Sequence, residues 1–427
     1  MKLQRALVLL LSLAVSLVFL PREGFSISAF ARKYNVGCNA CHWAGYRLNR
    51  EGIEFFRRGH AFADDKGSDD LKNYISLNSK IRFNDGNDAD TLDNTIGNTT
   101  FEYHAFAIYS GGILYKQFSY FTEIYLHERE GTPVKVDTYD NGGRSKLAEA
   151  YLQYTQGKKN YFTIRVGQIA SQFFYLQGAG GRLSETRNYL VNNSTVKTNA
   201  GITNNWLPRQ RDVGIEVGAH YSDLHLAFAL TNGIGNKPTN VTENKGQGAK
   251  DYYLSTDYTL KDIFQVGLVY HKGKLEDPTA RTLMVDDFYR VGIGFNANPT
   301  DFLWAFGTYL TGKDTDSHPA AEKNASVKNS GYALELDFLA APQYGLAPFI
   351  KFDHFTFDGK SGPSSPYNTV TDAWTIGFTI NLFEEQRGRI SVEWQSIIQK
   401  EKYSGAVPMT TNLMKDQNLR IELAFML

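Results

Sequence analysis

From residue 72 to the end of the chain, apolar side chains recur at every second position in segments of about ten residues, and this period excludes most folds. Ile75, Leu77, Ile81 and Phe83 alternate with Ser76, Asn78, Lys80 and Arg82. The pattern returns in Phe101, Tyr103, Ala105 and Ala107, in Phe118, Tyr120, Ile124 and Leu126, and in Ala148, Ala150, Leu152 and Tyr154. It continues through Phe162, Ile164 and Val166, through Val213, Ile215 and Val217, and through Phe264, Val266, Leu268 and Tyr270 to Leu419, Ile421, Leu423 and Phe425. Successive side chains of a strand point to opposite faces, so each segment presents one apolar and one polar face. Tilted strands of about 9–11 residues cross a bilayer, with one face toward lipid and the other toward water. Sixteen candidate strands are present, and the expected fold is all-β, a 16-stranded antiparallel transmembrane β-barrel with a small N-terminal helical and loop segment.

The connections give an independent check, because a bacterial barrel with both ends in the periplasm alternates long outer loops with short inner turns. Long links near 85–98, 128–145, 169–209, 233–249, 273–285, 313–328, 357–369 and 399–415 are interleaved with short ones. The short ones fall near Gly111-Gly112, Gly157–Asn160, Ser222-Asp223, Leu260-Lys261, Pro299-Thr300, Pro342–Gly345 and Glu384–Gly388. The link 169–209 is by far the longest and is the natural candidate to fold inward and narrow the pore. Aromatic residues make up 14% of the chain, with 25 Tyr and 28 Phe, while mean hydropathy is only −0.37, which argues against a helical membrane protein. The 45 Lys plus Arg equal the 45 Asp plus Glu, so no basic excess exists for nucleic acid, and that class is excluded.

The N-terminus carries Lys2 and Arg5, an apolar run Ala6–Leu20, and small residues suited to cleavage. It reads as a signal peptide over 1–29 that is removed on export, since the run is too short for the roughly 20 residues of a spanning helix. The expected division is then 30–66 for a small N-terminal unit and 67–427 for the barrel, placed in a bacterial outer membrane among its lipids.

Cys38 and Cys41 are the only two cysteines, and they stand in Cys38-Asn39-Ala40-Cys41-His42. This is the C-x-x-C-H pattern of c-type haem attachment: two thiols form thioethers to the vinyl groups, and the adjacent imidazole ligates the iron. A structural zinc site calls for four protein ligands and a dithiol redox motif for a βαβ setting, and neither surrounds these residues. One covalent haem c held by Cys38 and Cys41, with His42 as proximal metal ligand, is the expectation.

The iron then needs a sixth ligand or an open face. Ala44–His60 contains no methionine, which excludes a local His/Met pair. Asn49 can cap a short helix with Ile53 and Phe56 on its apolar face, Arg57 and Arg58 in its last turn and Gly59 at its stop. His60 follows directly and is the nearest candidate for the distal metal ligand; the competing reading is a solvated linker histidine. Arg57 and Arg58 are candidates for the haem propionates or for ordinary helix-terminus partners. Strand parity turns His104, Glu123 and His127 inward as second candidates. Carboxylates cluster in the outer loops, Asp85, Asp88, Asp90 and Asp93 in the first and Glu128, Glu130, Asp137 and Asp140 in the second. They suit hard cations such as iron, and equally a soluble loop.

Two resemblances follow from these residues. Arg165-Val166-Gly167-Gln168, Arg211-Asp212-Val213-Gly214-Ile215 and Leu230-Thr231-Asn232-Gly233 resemble phrases of phosphate-selective porins. The stretch Phe30–Tyr34, the Cys38–His42 motif, Leu48–Gly52 and Gly59-His60 together resemble the fused monohaem cytochrome-porins, which include the outer-membrane iron oxidases of iron-oxidising bacteria. That resemblance implies an electron-transfer oxidoreductase with electrons passing from an extracellular donor, ferrous iron first among them, through the haem to periplasmic cytochromes. Physically, an apolar layer of roughly 30 Å blocks electrons, and a haem part-way across shortens both hops. The alternative is a diffusion porin for small anions or other solutes in which the haem segment acts as a plug or redox gate. Ligand sensing or peroxidase chemistry at an open iron face is a third.

Overall fold

The computed structural model describes residues 29–44, 47–62, 65, 70–87, 97–129, 143–170, 182–188, 190, 211–233, 250–261, 263–277, 284–315, 326–360, 366–382, 388–403 and 411–426. The signal peptide read in the sequence lies outside them. Among these residues sixteen antiparallel strands, from Ile75–Asn87 to Thr411–Met426, pair in sequence order and close into one barrel. Closure joins the last strand to the first, from Asn418 opposite Gly86 to Met426 opposite Asn78. An even strand number brings the start of the first strand and the end of the last to one rim, the rim of the short turns, which is periplasmic in bacterial barrels.

The burial pattern is inverted relative to a water-soluble protein. Phe162, Ile164 and Val166 are exposed on the outside of their strand, while Thr163 and Arg165 between them are buried inside. Leu224, Leu226, Phe228 and Leu230 repeat the arrangement around His225, Ala227 and Ala229. Lipid requires it: a charge on the outer face costs about 2–4 kcal/mol at the bilayer midplane, whereas the lumen accepts polar groups. Exposed Tyr115, Tyr221 and Phe302 stand at the periplasmic turns, where an aromatic girdle sits. No helix among the described residues is long and apolar enough to cross a membrane.

Two local expectations shift. Gly111 and Gly112 lie inside the strand Gly97–Tyr115, and the chain turns at Lys116-Gln117 instead. The glycines are there for closeness: a Cβ at Gly111 would press on Phe30 and Phe121, and Gly112 adopts φ +138 against Tyr74. His127 belongs to a bulge at which Phe106 pairs with His127 but Ala107 with Tyr125, so strand parity slips by one residue. Its Nε2 contacts the carbonyl of Tyr103, whose ring is exposed on the barrel exterior, rather than facing the lumen interior.

The N-terminal segment packs inside the periplasmic end of the barrel. It comprises α1 (Ala29–Tyr34), a 3₁₀ turn (Cys38–Ala40), a hairpin of β1 (His42–Ala44) and β2 (Arg47–Leu48), and α2 (Arg50–Arg57). Its contacts run around the wall. Arg58 donates to the Gly157 carbonyl at 2.9 Å, Arg50 faces Asp223 at 3.4 Å and Trp43 Nε1 donates to the Asp301 carbonyl at 3.0 Å, all at periplasmic turns. Deeper inside, Arg57 pairs with Asp257, and Arg47 pairs with Asp337 and with Glu335 at 3.1 Å. Residues 182–188 of the long link after the fifth barrel strand also lie in the lumen, as the length of that link suggests. Glu393 accepts from the backbone N–H of Glu185 and Thr186 and from the Thr186 and Ser184 hydroxyls, Arg389 pairs with Glu185, and Lys351 donates to Ser184. Glu335 joins the two intruding segments, since it also accepts from Leu183 N at 2.7 Å. Leu183 packs with Ala44, Ala347 and Phe349.

Candidate functional site

The Cys38–His42 motif is positioned by one asparagine. Asn49 caps α2 by accepting from Gly52 N at 2.9 Å, its Nδ2 donates to the carbonyls of Asn39 and Ala40 at 3.1 Å each, and its backbone N donates to Cys41 O at 2.9 Å. The same side chain therefore starts the helix and holds the two residues between the cysteines. Gly52 completes the fit, because a Cβ there would collide with the Cys41 carbonyl. Cys38 heads the 3₁₀ turn.

At its far end α2 stops as the sequence implies. Gly59 N donates to Phe56 O and His60 N to Phe55 O, the paired bonds of a Schellman turn, with Gly59 at φ +76. His60 itself holds φ +62, a conformation uncommon for a residue with a side chain. The turn drives its imidazole into an aromatic slot. The ring stacks on Phe121 at 3.9 Å and 14° and on Phe30 at 5.3 Å and 18°, with Phe55 and Phe56 edge-on. Tyr151 Oη lies 3.1 Å from Nδ1. Burial, reinforced by the Arg165 charge, holds the imidazole pKa well below its ordinary value, so the ring is neutral, the form that ligates a metal.

The structure brings Cys41, His42 and His60 to the wall of one cavity of about 370 Å³. Phe30, Leu48, Phe55, Phe56 and Phe121 add apolar surface, and Lys80, Arg182, Arg187 and Arg211 add charge. This donor set fits a covalent haem: a thiol and an imidazole in adjacent positions, a second neutral imidazole, apolar walls for the macrocycle faces and cations for its carboxylates. Arg57 and Arg58, the propionate candidates of the sequence, are committed elsewhere, to Asp257 and to the turn carbonyls and Tyr161 ring. Glu123 does line the cavity and pairs with Arg211 at 2.7 Å. His104 instead meets Glu102 at 3.1 Å on its own strand and is not part of the cavity lining.

Sequence reasoning missed Tyr151, Arg182, Arg187, Arg211 and Met426. Met426, near the end of the last strand, supplies a thioether to the cavity wall. Nothing local could reveal it, because barrel closure alone brings residue 426 beside residue 78. Of the acidic outer-loop residues, Asp85 accepts from Thr99 at 2.8 Å and Glu128 pairs with Lys146. Asp88, Asp90, Asp93, Glu130, Asp137 and Asp140 lie outside the described residues.

No family model and no curated protein matches the sequence. Solved structures do match. OmpT of Vibrio cholerae aligns with a TM-score of 0.52 at 8% identity over 85% of this chain and 100% of its own. The outer-membrane channel DcaP of Acinetobacter baumannii gives 0.53 at 11% identity over 82% of this chain and 97% of its own. An anion-selective porin from Comamonas acidovorans gives 0.53 at 10% over 83% and 99%. The likeness is one of fold. With the apolar exterior it makes this chain a porin-type barrel of the bacterial outer membrane.

Proposed function

We propose that the chain is an outer-membrane electron conduit: a porin-type barrel whose lumen holds one haem c between an extracellular donor and periplasmic cytochromes. The observation that carries this reading is the single cavity inside the lumen onto which Cys41, His42 and His60 all open. Cys38 and Cys41 would hold the haem, His42 would be its proximal ligand and His60 its distal one. A haem there supplies one-electron transfer. The chain's own residues would orient it: the slot around His60 fixes the imidazole plane, and Tyr151 Oη stands 3.1 Å from Nδ1, so that with Nδ1–H as the donor Nε2 would be left for the metal, the arrangement ligating histidines commonly adopt. The resemblance of the N-terminal stretch to the cytochrome-porins makes ferrous iron the first donor to test, and an electron-transfer oxidoreductase the class. Anaerobic mixing of purified holoprotein with ferrous iron is expected to reduce the haem, and a periplasmic cytochrome to reoxidise it. Failure of every extracellular donor to reduce it would remove the conduit.

A second reading is a diffusion porin with the N-terminal segment as plug or redox gate. The likeness to OmpT, DcaP and an anion-selective porin bears more directly on this reading than on electron transfer. Planar-bilayer conductance separates the two: a wide channel indifferent to haem oxidation state favours diffusion alone, and a closed one favours the conduit.

A further inference from the structure

We propose that Arg187, with Arg182 beside it, forms a carboxylate clamp in the cavity wall and that the group it takes is a propionate of the haem. The inference rests on the haem reading above. Its basis is charge and placement. Four cations, Lys80, Arg182, Arg187 and Arg211, and two carboxylates, Glu123 and Glu149, line the cavity, and with Glu422, which faces Lys80, the cations still outnumber the carboxylates by one. Arg211 is already matched by Glu123 at 2.7 Å and Glu149 at 3.1 Å, and Lys80 by Glu422 at 3.1 Å. Arg187 has no hydrogen bond or ion pair to any described residue, although it is mostly buried.

Such a group is costly. Burial and the charges of Arg182 and Arg211 push the Arg187 guanidinium down to about 9, which measures how poorly the site tolerates its charge without an anion. The turn between Arg182 and Arg187 is pinned to the barrel wall, which holds the backbone that carries Arg187 beside the cavity. Glu393 binds the backbone of Glu185 and Thr186, Arg389 binds Glu185, and Lys351 binds Ser184. Arg182 is further fixed by donating to the Ser184 carbonyl at 2.6 Å. The Arg187 guanidinium is thus held in the cavity wall, across the turn from Arg182, where an anion would match its charge. Planar forks of donors suit carboxylates, which they bind in bidentate fashion. In this arrangement the inward-folded outer loop grips the same haem that the N-terminal segment tethers covalently.

The test uses full-length holoprotein and the variants Arg187→Gln, Arg187→Lys and Arg182→Gln. Intact mass of the wild type comes first: unmodified cysteines overturn the haem reading itself, and the clamp with it. With haem present, Arg187→Gln is expected to keep its covalent haem and its barrel. Its midpoint potential shifts lower, since a nearby cation favours the less positive ferrous state, and the propionate bending bands in the resonance Raman spectrum move. Arg187→Lys restores most of the potential, and Arg182→Gln lowers it as Arg187→Gln does. Wild-type potential and unshifted propionate bands in haem-loaded Arg187→Gln and Arg182→Gln would overturn the clamp while leaving the haem reading intact.

Discussion

Asn49 and His60 show how far single residues can be read from sequence and where reading stops. Asn49 was legible as a helix cap, because an Asn before an apolar period and a Gly after it is a local signature. Its grip on Asn39 and Ala40 was not, since those bonds depend on how the hairpin folds back. Asn49→Ala removes a cap worth about 1 kcal/mol and frees the attachment turn as well. Haem loading, read by intact mass, is expected to fall, while the barrel's strand content in circular dichroism stays unchanged. Gly52→Ala is expected to lower loading more severely, because the collision is with backbone. At His60 the sequence offered position but no environment: Phe121, Tyr151 and Arg165 come from wall strands. If His60 is the distal ligand, His60→Ala is expected to raise the midpoint potential, because bis-His ligation would hold it low, whereas Met426→Leu would leave it in place. The opposite pair of results would assign the distal position to Met426.

At the scale of elements, the strands were legible because lipid on one face and water on the other impose a strict period of two. The errors fall where that period is locally broken. The bulge at His127 slips parity, and the Gly111-Gly112 pair marks a close approach of α1 instead of a turn. Loops also come out shorter than the alternation suggests, as strands Phe264–Asp277 and Met284–Thr300 pair well past it. The docking of the N-terminal segment was invisible, because its ion pairs to the wall join residues more than 150 positions apart, from Glu54 and His220 to Arg47 and Glu335. Arg47 is its deepest anchor, fully buried against Glu335 and Asp337. Arg47→Ala strands two buried carboxylates, and breaking a buried pair costs about 3–5 kcal/mol. Protease cleavage within 30–66 is expected to accelerate in that variant, and Arg47→Lys to lie between it and wild type.

At the scale of the whole molecule, two parts with different chemistry share one enclosure. The barrel supplies an apolar exterior and a polar lumen, and the N-terminal segment together with the inward-folded loop fills that lumen from both ends of its wall. Deleting residues 30–66 is expected to leave the barrel able to fold and to raise single-channel conductance in planar bilayers; unchanged conductance would mean that the segment is not the plug. The account as a whole stands on a haem fixed to this segment inside the barrel, and the most direct test is the intact mass of the mature protein made alongside cytochrome c maturation machinery. The account predicts the polypeptide mass plus one haem, lost in Cys38→Ala/Cys41→Ala. A mature chain with both thiols unmodified under those conditions would contradict it.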